Sequence, residues 1–189
     1  MAALIPNEVF FTKGIGIHRE KLQSYEMALR VAGIAKCNLV NVSSILPPGC
    51  KIISRDQGVT KLKAGQITYA VIARNSTNEP NRYVAASIGL AVPADRSTYG
   101  YLSEHTSFGE NNKKASDYAE DLAATMLATT LGIPFDPDVA WDERKQLYRM
   151  SKRLVVSRSI TQTGRGDKNG KWTTVLAAAI FISDRPEES

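Results

Sequence analysis

Two adjacent serines, Ser43 and Ser44, sit between a β-type run at 38–42 and the breaker Pro47-Pro48-Gly49. A serine pair held at the end of a strand can attack its own backbone. That reaction has three requirements. The Ser44 hydroxyl must face the Ser43 carbonyl, a donor must stabilise the oxyanion, and the peptide must be held under strain. An N-to-O acyl shift then turns the peptide into an ester. β-Elimination cuts the chain after Ser43 and leaves dehydroalanine at 44, which hydrolyses to a pyruvoyl group. The ketone can form a Schiff base with a substrate amine and act as an electron sink, the role pyridoxal phosphate plays elsewhere. Without its context, a Ser-Ser pair marks only a turn.

Other chemistries lack their residues. There is no G-x-G-x-x-G and no P-loop for a nucleotide, and no G-x-S-x-G elbow. His18 and His105 are the only histidines and do not stand at a zinc-ligand spacing, so no metal is expected. Cys37 and Cys50 form no C-x-x-C and fit small residues in a reducing cytoplasm. The net charge is +5, but the basic residues are scattered (Lys61/Lys63, Lys113/Lys114, Lys152/Arg153, Arg165/Lys168/Lys171). With no aromatic-interleaved basic stripe, a solvated surface is expected and not a nucleic-acid partner. No apolar run approaches the ~20 residues of a membrane span. The first residues show no secretory signal.

The elements that must hold the serines can be read along the chain. Strand-like character at 10–17 is interrupted by Gly14 and Gly16. A helix is expected over 19–32, with Leu22, Tyr25, Leu29 and Ala32 on one face and Gly33 as its stop. Strands follow at 38–42, 67–74, 82–92 and 98–106, with a turn at 75–78. A long helix over 112–131 carries Ala115, Tyr118, Ala119, Leu122 and Met126 on one stripe, and Gly132 closes it. A charged helix at 139–150, a strand at 153–163, a hairpin loop at 164–170 and a buried strand at 172–182 complete the chain. The polar 184–189 segment is expected to fray. Strands in pairs with helices between them predict a single α+β domain over 1–189. The Arg165-Gly166-Asp167 tripeptide reads as turn chemistry and not as an adhesion motif.

The stretch from Asn38 to Pro48 resembles the processing site of the pyruvoyl-dependent arginine decarboxylases. Upstream, the run from Tyr25 to Ile34 resembles the helix before that site. Downstream, the run from Gly100 to His105 resembles the strand that carries the family's catalytic glutamate, and the final strand with Ala177 to Ala179 is also similar. The resemblance implies cleavage between Ser43 and Ser44 into a β chain of residues 1–43 and an α chain of residues 44–189. Ser44 becomes the pyruvoyl cofactor, with no metal and no pyridoxal phosphate. It implies that Asn38 donates its amide to the carbonyl or the developing oxyanion; otherwise Asn38 is a capping or turn residue. Glu104 is implied as the proton donor to the α-carbon after CO2 leaves, a carboxyl kept neutral by burial; otherwise it is an exposed strand glutamate. Glu26 is implied to take the substrate guanidinium bidentately, which an ammonium cannot reproduce. The family usually has aspartate there, and the extra methylene changes the reach. Two further departures are a longer 136–150 segment and a loose match before residue 20.

The resemblance further implies an αββα sandwich, assembled as a homotrimer of αβ units or a hexamer of two trimers, with active sites between subunits. The expected activity is decarboxylation of L-arginine to agmatine and CO2, in polyamine synthesis or acid resistance. The alternatives are a pyruvoyl decarboxylase of another amino acid, such as histidine, and an uncut relative with no enzymatic activity.

Overall fold

In a computed structural model, residues 4–133 and 154–183 are described. The expected helix at 139–150 and the long 136–150 segment lie outside these residues. The first strand, β1 (Glu8–His18), runs straight through Gly14 and Gly16 and leads to α1 (Lys21–Ala32). The two glycines do not break it. They let α1 lie directly against it: a Cβ at Gly14 would come within 2.0 Å of the Ala28 carbonyl oxygen, and one at Gly16 within 2.1 Å of that of Ser24. The helix therefore buries Ser24, Ala28 and Ala32, while Leu22 is 77% exposed. Of the expected face, Ala32 is buried and Tyr25 and Leu29 pack partly buried on the core, so the correction is Leu22, because the close crossing selects small side chains over large ones. Gly33, in the left-handed region at φ 81°, ends α1 as expected, its N–H bonding the carbonyls of Arg30 and Leu29.

Four short elements follow: β2 (Asn38–Asn41), β3 (Ile45–Leu46), β4 (Lys51–Ile52) and α2 (Arg55–Lys61). The sequence reading missed the last three. The signal for α2 was Ser54 three residues before Gln57, which form a reciprocal capping box. The long strands are β5 (Ile67–Thr77), β6 (Tyr83–Pro93) and β7 (Gly100–Phe108), followed by α3 (Asn112–Thr130), β8 (Leu154–Arg165) and β9 (Trp172–Ile182). β5 continues through residues 75–77, where a turn was expected.

The strands form a five-stranded mixed sheet, β2-β5-β9-β1-β4, and a four-stranded antiparallel sheet, β3-β7-β6-β8. Their facing sides enclose a core that includes Val9, Val71, Ile88, Leu90, Leu102, Ala177 and Ala179. The outer side of the first sheet packs on α1 and α2 through Phe10, Ala28, Ile34, Leu176 and Ile180. The outer side of the second packs on α3. The layers run helix, sheet, sheet, helix, the expected α+β sandwich.

The stripe expected on α3 holds at Ala115 and Ala119, with Leu122 and Met126 half-buried, and fails at Tyr118. Ala115, Ala119, Ala123, Ala124, Leu127 and Ala128 are buried, while Tyr118 is 54% exposed. Small residues again mark a close approach: a Cβ at Gly89 of β6 would sit 2.0 Å from the Ala119 carbonyl oxygen. The Arg165-Gly166-Asp167 tripeptide begins the β8–β9 hairpin. Gly166 bonds the backbone of Arg82 and Asn81, and the Asp167 carboxylate accepts from the Asn169 N–H at 3.0 Å. It is turn chemistry, as expected. Among the described residues, no helix is long and apolar enough to cross a membrane.

Candidate active site

Ser43 and Ser44 lie where the chain leaves one sheet for the other. On the upstream side, the N–H of Val42 still bonds the Ala70 carbonyl of β5 at 3.0 Å. On the downstream side, the Ser44 carbonyl accepts from the Leu102 N–H of β7 at 2.8 Å, and Ile45 and Leu46 pair with Tyr101 and Gly100. The peptide between the serines is therefore pinned to two different sheets within three residues. Pro47 and Pro48, which have no N–H to donate, keep β3 to two residues.

Between those anchors, the Ile45 N–H donates to the Ser43 carbonyl at 2.9 Å and closes a three-residue turn about Ser44. This places a donor on the carbonyl that Ser44 would attack. Attack by Ser44 Oγ closes a five-membered ring through its own Cβ, Cα and N, so the nucleophile is always within reach. Ser44 is half-buried and Ser43 exposed. The strain asked of this peptide does not take the form of a left-handed backbone. Asn81 is the non-glycine with positive φ among the described residues.

Glu104 stands on β7, two residues past Leu102 and opposite Ile88 of β6. Alternation places it on the same face as Leu102 and Ile88, towards the other sheet. It lies about 7 Å along the strand from the residue that holds Ser44. Its side chain is exposed, yet the surrounding wall desolvates the carboxyl and raises its pKa above the usual carboxylate value. On the other face of β7, His105 Nε2 meets Glu110 Oε2 at 2.9 Å, and the His105 ring lies 4.4 Å from that of Tyr118. The bond from His105 holds the Glu110 pKa down.

Asn38 and Glu26 lie elsewhere. Asn38 opens β2, about 10 Å of strand before Asn41, and its Nδ2 donates to the Gly65 carbonyl at 2.9 Å. Glu26 lies on α1, across the first sheet from β7, and its Oε1 accepts from Arg30 Nε at 2.5 Å. A single chain thus brings Ser43, Ser44 and the Glu104 strand together and leaves Asn38 and Glu26 apart from them. Sequence reasoning missed the Ile45 and Leu102 N–H groups, because a backbone donor has no residue signature. It also missed Arg30, although its place one turn after Glu26 was visible. Among the described residues, no cluster of three His, Cys, Asp or Glu could hold a metal ion.

The Ser43–Ser44 peptide, with a donor on its carbonyl, suits a chain that makes its own carbonyl cofactor. The comparisons agree. A family model described as pyruvoyl-dependent arginine decarboxylase matches residues 8–186. A probable pyruvoyl-dependent arginine decarboxylase of Chloroherpeton thalassium is 62% identical over 178 residues, covering 94% of this chain and 98% of the relative. One from Chlorobium luteolum is 59% identical over 180 residues, covering 95% and 99%. Pyruvoyl-dependent arginine decarboxylase 2 of Methanosarcina acetivorans is 56% identical over 182 residues, covering 96% and 100%. The chain belongs to the pyruvoyl-dependent arginine decarboxylase family, lyases whose name specifies the pyruvoyl group.

Proposed function

We propose that the chain cuts itself between Ser43 and Ser44 and that the new N-terminus of residues 44–189 decarboxylates L-arginine to agmatine and CO2. The observation that carries this reading is the Ile45 N–H on the Ser43 carbonyl, at 2.9 Å. That donor strengthens as the carbonyl oxygen gains charge and so favours the addition step. The acyl shift breaks the Ser43 C–N bond and forms a C–O bond to Ser44 Oγ. Elimination takes the Ser44 α-proton, breaks Cβ–O and leaves a carboxylate on Ser43. Water then releases ammonia from residue 44. The Leu102 N–H holds the Ser44 carbonyl in place throughout, so the downstream end keeps its position when the upstream end departs.

The pyruvoyl ketone supplies an electrophile for the substrate amine and a sink for the electron pair left by CO2. Glu104 returns a proton to the α-carbon, and its raised pKa keeps a larger fraction of it protonated. Glu26 takes the guanidinium through both carboxylate oxygens. Since Ile45 already occupies the donor position on the Ser43 carbonyl, we assign the intrachain oxyanion role to it. The Asn38 amide spends one of its two N–H donors on the Gly65 carbonyl and lies about 10 Å of strand before Asn41, away from the Ser43 carbonyl.

The sheet between Glu26 and Glu104 supports an assembly in which a neighbouring subunit completes the site, a homotrimer of αβ units or a pair of trimers. Cys37 and Cys50 are unpaired, which supports a reducing cytoplasm. The test is intact mass under denaturing conditions together with CO2 release from arginine, with histidine tried alongside. Two chains and arginine-dependent CO2 are expected. An uncut chain of 20.7 kDa that releases CO2 would overturn the mechanism.

A further inference from the structure

We infer that Arg30 is an internal competitor for the substrate guanidinium at Glu26, and that it sets the arginine concentration the enzyme needs without changing its rate at saturation. The inference rests on the reading of Glu26 as the guanidinium site. Arg30 Nε donates to Glu26 Oε1 at 2.5 Å, and no bond to Oε2 is made among the described residues. The two side chains are 72% and 42% exposed in a single chain, so neither is sealed off by the chain's own fold. A bidentate guanidinium needs both oxygens of the carboxylate, and one is already held by the same chemical group on the same helix.

The pair follows from helix geometry alone. A glutamate one turn before an arginine is the favoured order, and Arg30 lies in the last turn of α1, where a cation faces the helix C-terminus. Arginine that binds bidentately either moves Arg30 off Oε1 or shares that oxygen with it, and in both cases it accepts a like charge nearby. The contact stays weakened or broken from binding through release of product. Its cost therefore falls equally on ground state and transition state and is read in KM, not in kcat. An exposed pair one helical turn apart, together with the nearby like charge, corresponds to a change of about two- to fivefold.

The experiment compares KM and kcat for arginine in the processed wild-type enzyme, in Arg30→Gln, Arg30→Lys and Glu26→Gln, and in the variant with both glutamines. Intact mass confirms that each is cut. Arg30→Gln is expected to lower KM about two- to fivefold at unchanged kcat. Arg30→Lys, which keeps the charge, should stay close to wild type. Glu26→Gln should raise KM, and in that background Arg30→Gln should no longer move it. A purely structural Arg30 would give the opposite sign, because loosening α1 would misplace Glu26 and raise KM. If Glu26→Gln raises KM while Arg30→Gln leaves it unchanged or higher, the competitor role is overturned and the Glu26 site stands. If Glu26→Gln leaves KM unchanged, the Glu26 site is wrong and the competition falls with it. If Arg30→Gln lowers KM equally with and without Glu26, Arg30 acts on substrate by charge alone and the inference is overturned.

Discussion

In the proposed mechanism Ser44 carries two duties, nucleophile in the self-cut and source of the cofactor, and a single substitution removes both. Ser44→Ala removes the hydroxyl while leaving the Leu102 and Ile45 bonds, which involve only backbone atoms. The variant should fold, remain one chain of 20.7 kDa in a denaturing mass spectrum and release no CO2 from arginine. Glu104 has one duty in that mechanism, proton return. Glu104→Gln should leave cleavage intact and lower kcat by about 10²- to 10⁴-fold, the usual contribution of a positioned acid. The pH dependence follows from desolvation, which raises the Glu104 pKa. The protonated form is the competent one, so kcat should fall as pH rises through that raised value, and Glu104→Gln should abolish this limb. The same shift acts on stability. The folded state holds the proton over a window just above the ordinary carboxylate pKa, where the unfolded chain has lost it, so Glu104 lowers stability as pH rises through that window.

The elements owe their placement to small residues. α1 carries Glu26 and is set against β1 by Gly14 and Gly16, and α3 is set against β6 by Gly89. Gly16→Ala would drive a methyl into the Ser24 carbonyl, where backbone and not a flexible side chain must yield. A loss of about 1–3 kcal/mol in denaturant unfolding is expected, the usual cost of overpacking. Because α1 must lift to admit the methyl, KM for arginine should rise while cleavage at Ser43 continues. Gly65→Ala is a useful contrast, since nothing lies within 4 Å of a Cβ there. Its cost comes from its φ of 77° alone. The periodicity of α1 and α3 found Ala32, Ala115 and Ala119 but misplaced Leu22 and Tyr118 for the same reason. A hydrophobic pattern ranks side chains by apolar size, but a helix that crosses a strand at backbone contact buries alanine and serine at the crossing and leaves Leu22 and Tyr118 outside it.

At the scale of the molecule, one chain keeps the proposed site residues apart. Ser44 and Glu104 lie at the junction of the two sheets, and Glu26 lies beyond the first sheet on α1. Val40, Ile45 and Ile67 are 40%, 39% and 63% exposed, along the edge strand β2, its neighbour β5 and the short β3. Apolar side chains on a sheet edge beside an unfinished site favour contact with a second copy. Light scattering of the processed protein should give the mass of three αβ units, or of six. Ile67→Lys, which places a charge on that edge, should shift the mass towards a single unit and reduce turnover together. Retained activity in a protein of one-unit mass would show that the site is complete within one chain.

The amino-acid sequence by itself determined the reactive peptide and the layer order. The Ser43–Ser44 pair with its proline stop, the glutamate strand and the alternation of strand pairs with helices are local patterns, and local patterns survive without coordinates. The exact span of β9 and the glycine stop of α1 were legible for the same reason, since turn and breaker residues act over a few positions. Only the tertiary structure decided which groups meet. The Ile45 N–H reaches the Ser43 carbonyl because two sheets pull on neighbouring residues, and Leu102 holds Ser44 across nearly sixty positions of sequence. Asn38 turns to Gly65, and Glu26 is held by Arg30 on the far side of a sheet. Backbone donors and through-space separations carry no residue code, so they exist only once the chain has folded.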